Sequence, residues 1–89
     1  MRYLIVLEQA GTGFAVQVPD LAVITYGETL EDAKSAAAEA IKINLEAYQE
    51  TGKPVPEKQP AQAHLENPDF ADLLFAFVRV AEYETRMAA

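Results

Sequence analysis

The sequence of 89 residues contains no cysteine, one histidine and one serine. The absence of cysteine excludes disulfides, thiolate nucleophiles and cysteine-based metal sites, and it leaves the cellular compartment open. A Ser-His-acid triad would require Ser35 and His64, the sole residues of their kinds, to meet a positioned carboxylate. The usual residues of nucleophilic catalysis are therefore almost missing.

Basic residues are also scarce, with seven against fourteen acidic residues and a formal net charge of -7. They are spread singly, at Arg2, Lys34, Lys42, Lys53, Lys58, Arg79 and Arg86. Nucleic-acid binding relies on clustered bases that displace counterions from phosphates. We therefore expect no direct binding of nucleic acid, and a basic protein is the more suitable partner.

Long hydrophobic runs are missing as well. The apolar run Tyr3–Leu7 ends at Glu8 and is shorter than the roughly 7 to 15 residues of a signal-peptide core. The run Leu73–Val78 is far below the roughly 20 residues that cross a membrane. We expect a cytoplasmic protein with no membrane segment. The length suits one hydrophobic core, so residues 1–89 are expected to form a single domain.

Three short strands are predicted in the first third of the chain. Tyr3–Leu7 is an apolar run, Phe14–Val18 alternates with the period of two typical of a strand, and Val23–Tyr26 follows a turn that starts at Pro19. Gly11 and Gly13 suit the hairpin loop between the first two strands. Because the connections are short, the three strands should form an antiparallel meander.

One long helix is predicted from Thr29, whose hydroxyl can cap free amides while Glu31 and Asp32 face the positive end of the helix dipole. Gly52, followed by Pro54, should end it. The predicted apolar face recurs at spacings of three and four, as Leu30, Ala33, Ala37, Ile41, Leu45 and Tyr48.

A proline-rich connector, Lys53–Asp69, separates this helix from the end of the chain, with about one helical turn expected near 61–65. Phe75–Val80 is predicted as a fourth strand from its aromatic and β-branched content, although spacing in the segment from Phe70 also fits a helix. The predicted fold is α+β, an antiparallel β-β-β-α-β sheet with one long helix packed on one face.

No motif in the sequence indicates a cofactor or a metal. Gly11-Thr12-Gly13 lacks the third glycine of a dinucleotide loop and is interpreted as a hairpin turn. His64 has only Glu57 and Glu66 as close acids, so it is interpreted as an exposed loop histidine. We expect neither cofactor nor metal.

Four carboxylates, Asp20, Glu28, Glu31 and Asp32, are the alternative basis for chemistry, since they could gather near the start of the helix. A magnesium-dependent nuclease needs several acids that converge on its ions from the centre of the sheet. The first strand offers only Glu8, at its end. The positive end of the helix dipole favours acids in the first turn, which explains Glu31 and Asp32 without a catalytic role.

Three segments together resemble the HicB family of antitoxins. They are Phe14–Leu21, with its Val-Pro-Asp-Leu turn; Gly27–Ala33, with Gly-Glu-Thr-Leu-Glu-Asp-Ala opening a helix; and Thr51–Pro56, with Gly-Lys-Pro-Val-Pro closing it. The resemblance covers most of residues 2–56, and Phe75–Val80 is similar to the closing strand. The chain departs from the family where Pro-Gly-Cys is replaced by Ala22-Val23-Ile24. We also expect no DNA-binding segment after the last strand, because residues 81–89 are too few to form one.

The resemblance implies a partial RNase H-like domain without catalytic carboxylates. It also implies an antitoxin that binds and masks HicA, a small basic RNA-cleaving toxin. The partner-binding candidates in the matched motifs are Asp20, Leu21, Glu28, Glu31 and Asp32. Two alternatives stay open: a stand-alone HicB-like domain with another partner, and a divergent metal-dependent hydrolase.

The pattern of the first strand further predicts self-association. Tyr3, Ile5 and Leu7 should face one side of the sheet and Leu4 and Val6 the other, while one helix covers only one side. An uncovered apolar face favours a homodimer or a higher homo-oligomer. The alternative is that residues 54–70 fold back over that second face.

Overall fold

The computed structural model describes residues 1–80 of the chain and has the predicted β-β-β-α-β order. Its elements are β1 (Arg2–Ala10), β2 (Gly13–Val18), β3 (Val23–Gly27), α1 (Leu30–Thr51), the five-residue α2 (Ala61–Leu65), a 3-10 turn (Pro68–Phe70) and β4 (Leu74–Arg79). The predicted α+β class, the three first strands, the long helix and the single turn of helix in the connector are confirmed.

The four strands form one antiparallel sheet in the order β3-β2-β1-β4. The first three strands make the predicted meander, and Gly11 in the β1–β2 turn has a φ of 60°, a conformation that glycine adopts without strain. The last strand returns beside β1, which places β1 in the interior of the sheet and leaves β3 and β4 at its edges.

Strand β1 is buried on both faces. None of the five residues Tyr3–Leu7 exposes more than 4% of its surface. Its odd-numbered side chains belong to the core under α1. Because side chains alternate along a strand, Leu4 and Val6 point to the opposite face, which must also be covered.

Helix α1 covers the first face and has the predicted caps. The Thr29 hydroxyl oxygen accepts a hydrogen bond from the Asp32 amide at 3.0 Å, and Gly52 takes the left-handed conformation with a φ of 73°. Ala33, Ala37, Ile41 and Leu45 are completely buried, while Tyr48 is half-buried.

Leu30 was expected on the buried face of α1 but exposes 44% of its surface. The helix first approaches the sheet closely at Ala33, whose backbone lies where a Cβ on Gly27 would be. Leu30 precedes that contact by almost one turn and therefore lies outside the core.

The connector covers part of the second face. The Phe70 ring is buried and meets the Phe75 ring edge to face at a centroid distance of 6.4 Å. Phe75 is paired with Val6 across β1 and β4, so Phe70 lies over the face opposite α1. The covering is incomplete, because Ile24 and Tyr26 on the same face expose 76% and 48% of their surfaces.

Strand β4 begins and ends one residue earlier than predicted, at Leu74 and Arg79. The preceding 3-10 turn and the left-handed Asp72, with a φ of 68°, interrupt any helix from Phe70. Pairing with β1 then selects the extended conformation. The ambiguity between helix and strand is resolved by this long-range partner.

Truncating a core residue of α1 tests its packing. We expect Ile41→Ala to lower the free energy of unfolding by about 2 to 5 kcal/mol, because the side chain is completely buried and truncation leaves a cavity. Ile43→Ala is the matched control, since Ile43 lies on the same helix and exposes 57% of its surface. Urea denaturation of both variants measures the difference, and equal losses would contradict the assignment of the buried face.

Candidate functional site

The turn between β2 and β3 is built by Pro19, Asp20, Leu21 and Ala22. The Leu21 amide donates a hydrogen bond to the Val18 carbonyl oxygen at 3.1 Å, and Ala22 has a left-handed φ of 56°. Leu21 exposes only 5% of its surface and belongs to the core under α1. The turn is therefore anchored to the interior.

The Asp20 carboxylate points inward and joins this turn to the connector. Its Oδ1 atom lies 2.9 Å from Nε2 of His64 and accepts a hydrogen bond from the Gln59 amide at 3.0 Å. The two side chains expose 4% (Asp20) and 8% (His64) of their surfaces. Hydrogen bonds to a charged group that are shielded from water are among the stronger ones in proteins.

His64 is not the exposed loop histidine that the sequence predicted. It lies on α2, is buried, and its ring stands 6.4 Å from the Phe70 ring. Its partner Asp20 is 44 positions away, and the short α2 helix turns the imidazole towards the sheet. Local spacing carried no signal for this contact, so the sequence could not reveal it.

An open groove of about 470 Å³ lies between this anchored connector and the β2–β3 end of the second sheet face. Apolar side chains of Pro19, Val23, Ile24 and Phe70 line it, together with the polar groups of Gln17, Gln59, His64 and Asn67. The Asp20–His64 contact joins α2 to the β2–β3 turn beside this groove.

The remaining candidate residues lie after the other end of β3. Glu28, Glu31 and Asp32 are all exposed and surround the capped start of α1. The structure brings these three acids together, and it separates them from Asp20 by the whole length of β3. A strand of five residues spans about 16 Å, so the four predicted acids do not converge on one point.

Three basic residues gather at one end of the sheet although the sequence spreads them widely. Arg2 and Arg79 are paired across β1 and β4, and Nζ of Lys58 donates to the Arg2 carbonyl oxygen at 3.0 Å. The Arg2 guanidinium carbon lies 4.1 Å from the centroid of the Phe77 ring, a cation-π contact. Bases that are spread singly along the sequence are therefore neighbours in the structure, because strand pairing joins distant positions.

Two further features of the described part of the chain bear on chemistry. Within residues 1–80, no group of three or more His, Asp or Glu side chains is placed to hold a metal ion. The helices in this range are too short or too polar to cross a membrane.

Comparison with protein families identifies the fold. The model of a HicB-like antitoxin of bacterial toxin–antitoxin systems matches residues 3–88, nearly the entire chain. The chain belongs to the HicB-like antitoxin family. The resemblance found in the turn and helix-start motifs is thereby confirmed.

Solved structures of HicB antitoxins have the same architecture. The N-terminal domain of the Burkholderia pseudomallei antitoxin HicB is 29% identical, with a TM-score of 0.81, and the match covers 92% of this chain and 100% of that domain. The longer structure of the same antitoxin, also 29% identical, has a TM-score of 0.80 over 90% of this chain and 63% of its own. A HicA3 and HicB3 toxin–antitoxin complex contains a chain of the same fold at 24% identity, with a TM-score of 0.79 over 92% of this chain and 100% of its own.

One curated relative is an uncharacterized 14.9 kDa protein from the rep-hol intergenic region of Haemophilus phage HP1. It is 31% identical over 81 residues, which are 90% of this chain and 61% of the phage protein. The chain thus spans about three fifths of this relative, and it corresponds to the N-terminal domain of the longer Burkholderia antitoxin.

The Asp20–His64 contact gives a direct test of the anchored connector. We expect Asp20→Ala to lower the free energy of unfolding by about 1.5 to 3 kcal/mol, because the buried imidazole and the Gln59 amide lose their acceptor. Asp20→Asn, which keeps one oxygen, should lose less. Asp69→Ala is the matched control, since Asp69 is exposed on the 3-10 turn.

Combining Asp20→Ala with His64→Ala separates the contact from other effects of each change. The double variant should lose less stability than the sum of the two single losses, by about 0.5 to 3 kcal/mol. Strictly additive losses in denaturant unfolding would show that the two side chains do not stabilise each other.

Proposed function

We propose that residues 1–89 act as one non-catalytic, toxin-binding domain of a HicB-type antitoxin that masks a small basic RNA-cleaving toxin of the HicA class. The observation that supports this most strongly is the family match along residues 3–88. We infer that the domain acts in the cytoplasm, as other members of such systems do. We also infer that its fold is related to a partial RNase H-like domain.

The charge of the chain suits a basic partner. The formal net charge of -7 attracts a cationic protein over distances near the Debye length, about 8 Å at physiological salt. Glu28, Glu31 and Asp32 form a compact exposed group at the start of α1 and are the residues we propose to contact the toxin. The three clustered bases lie on β1, β4 and the connector, in a chain that has fourteen acidic residues against seven basic ones. We therefore propose no direct binding of nucleic acid.

Asp20 and Leu21 take a different part in this proposal. Both side chains point inward in the structure, towards His64 and towards the core under α1. We propose that they support partner binding by fixing the turn at the mouth of the groove, while the acids at the start of α1 supply the exposed contacts.

Binding to a HicA-class toxin encoded beside this chain in its own genome tests the proposal. We expect a complex in calorimetry and restored growth when both proteins are co-expressed. The triple change Glu28→Gln, Glu31→Gln and Asp32→Asn should weaken the complex roughly ten-fold, since exposed charge pairs contribute a few tenths of a kcal/mol to about 1 kcal/mol each.

The matched control removes the same three charges elsewhere, at Glu39, Glu50 and Glu57, each exposed and changed to Gln. Its effect on affinity should be clearly smaller. Equal weakening by both triple variants would mean that net charge alone matters and not the start of α1. A toxin that neither binds nor is neutralised would refute the antitoxin assignment and favour a stand-alone domain with another partner.

The absence of catalysis is proposed from the separation of the carboxylates. The Asp20 carboxylate is occupied by His64 and Gln59, and the other three acids lie beyond the far end of β3. A two-ion site requires ligands around metals that are only about 3.5 to 4 Å apart. This geometry speaks against a metal-dependent hydrolase.

Incubating the pure protein with labelled RNA and either magnesium or manganese should therefore give no cleavage above a buffer control. Cleavage that disappears in Asp20→Asn or Glu28→Gln would refute the non-catalytic assignment. Cleavage that persists in both variants would indicate a contaminating nuclease.

We also propose that the domain is a homodimer or higher homo-oligomer. The second sheet face keeps Ile24, Tyr26 and Phe77 exposed even though the connector covers its other parts. Removing apolar surface from water is worth roughly 25 cal/mol per Å², which favours a second protomer on such a face.

A further inference from the structure

Strand β3 is an edge of the sheet without a charged residue. Its five residues read Val-Ile-Thr-Tyr-Gly, and among the described strands it is paired with β2 alone. Natural edge strands usually carry lysine, proline or a bulge that prevents pairing with another chain. The opposite edge, β4, carries Arg79 within the strand. The backbone of β3 is therefore available for a further antiparallel partner.

The outward side chains of β3 are large and exposed. Ile24 exposes 76% of its surface and Tyr26 48%, on the face opposite α1. The Tyr26 hydroxyl lies 3.5 Å from the Ala10 carbonyl oxygen, and a Cβ on Gly13 would collide with this ring. Tyr26 thus lies across a position that only glycine leaves open.

The order of these residues is self-complementary. If two β3 strands run antiparallel about a two-fold axis at Thr25, Ile24 of each copy faces Tyr26 of the other on the same side of the extended sheet. Pairs of an aromatic and a β-branched residue are among the favourable cross-strand combinations. We propose that two copies of this chain associate through β3 in this register and form a continuous sheet of eight strands. The inference rests on the self-association proposed above and assigns it a surface.

The distribution of charge is compatible with this pairing. Two chains that each carry a net charge of -7 repel one another unless their acids are kept apart at the contact. The first acid after β3 is Glu28, three residues from Thr25. In the proposed register the two Glu28 residues lie at opposite ends of the contact, about 20 Å apart, which exceeds the Debye length at physiological salt.

The pairing would also change the groove. Ile24 lines the groove beside His64 and Phe70, and Tyr26 of the second copy would stand next to Ile24. The groove would then gain an aromatic wall from the other protomer. In this arrangement the acids at the start of α1 remain outside the paired strands, at both ends of the dimer, and two toxin molecules could be bound at once.

The mass of the full chain in solution and a cysteine cross-link test the proposal together. Light scattering after size exclusion should give at least twice the protomer mass of 9.8 kDa at micromolar concentration. Ile24→Lys should lower it by half, because two lysines would replace apolar cross-strand residues. Ile43→Lys, at another exposed isoleucine that lies on α1, should leave the mass unchanged.

Because the chain has no cysteine, Thr25→Cys places a single thiol at the proposed two-fold axis. Residues directly opposite in antiparallel strands have Cβ atoms about 4.5 to 5.5 Å apart, within reach of a short thiol-to-thiol cross-linker. We expect covalent dimers from Thr25→Cys and at least ten-fold fewer from Ala63→Cys, an exposed position on α2.

Four results would overturn the inference at different points. A mass of 9.8 kDa at all concentrations removes self-association, while the toxin-binding proposal stands on its own assay. An oligomer that survives Ile24→Lys uses another surface. If Thr25→Cys cross-links no better than Ala63→Cys, the proposed register of the two β3 strands is excluded. If a monomeric protein loses toxin binding on Ile24→Lys, the edge serves the toxin and not a second copy.

Discussion

The burial of β1 on both faces is the constraint on which the rest of the structure depends. Five consecutive apolar residues, Tyr3–Leu7, cannot all be covered by one layer, because neighbouring side chains of a strand point in opposite directions. The long helix α1 covers one side, and the other side needs a second layer. In this chain that layer is a proline-rich connector, and its position decides which part of the sheet is left accessible.

The Asp20–His64 contact attaches the connector, which forms this second layer, to the β2–β3 turn. The connector residues 53–60 have no regular secondary structure, so this part of the chain is ordered mainly by what it contacts. One carboxylate oxygen accepts from both the imidazole and a connector amide, and Phe70 adds an aromatic contact beside Phe75. The turn residues that resemble the family motif thus act from inside, as supports for a groove.

The distribution of charge gives the domain two chemically different ends. Acids collect where β3 passes into α1, because the first turn of a helix favours negative side chains. Bases collect at the opposite end of the sheet, where the pairing of β1 with β4 brings Arg2 and Arg79 together. The net charge of -7 does not show this separation of acids from bases. The separation determines which kind of partner can approach which surface.

The local features of the fold were predictable from the sequence. The hairpin at Gly11, the cap at Thr29 and the αL end at Gly52 are set by interactions within a few residues, and the structure has all three. The motif resemblance likewise depends on consecutive residues, and the family match confirms it. The boundary of β4 was less certain, since its choice between helix and strand depends on a partner at the other end of the chain.

By itself the sequence determined the order of the elements, the faces of β1, the buried face of α1 apart from Leu30, and the family, because these depend on periodicity and on short motifs. Only the tertiary structure decided that His64 is buried against Asp20, that Arg2 meets Arg79, and that Ile24 and Tyr26 remain exposed. Each of these follows from contacts between residues far apart along the chain, and such contacts leave no pattern in local spacing. The physical reason is that a strand's register and a connector's path are chosen by packing over the entire sheet.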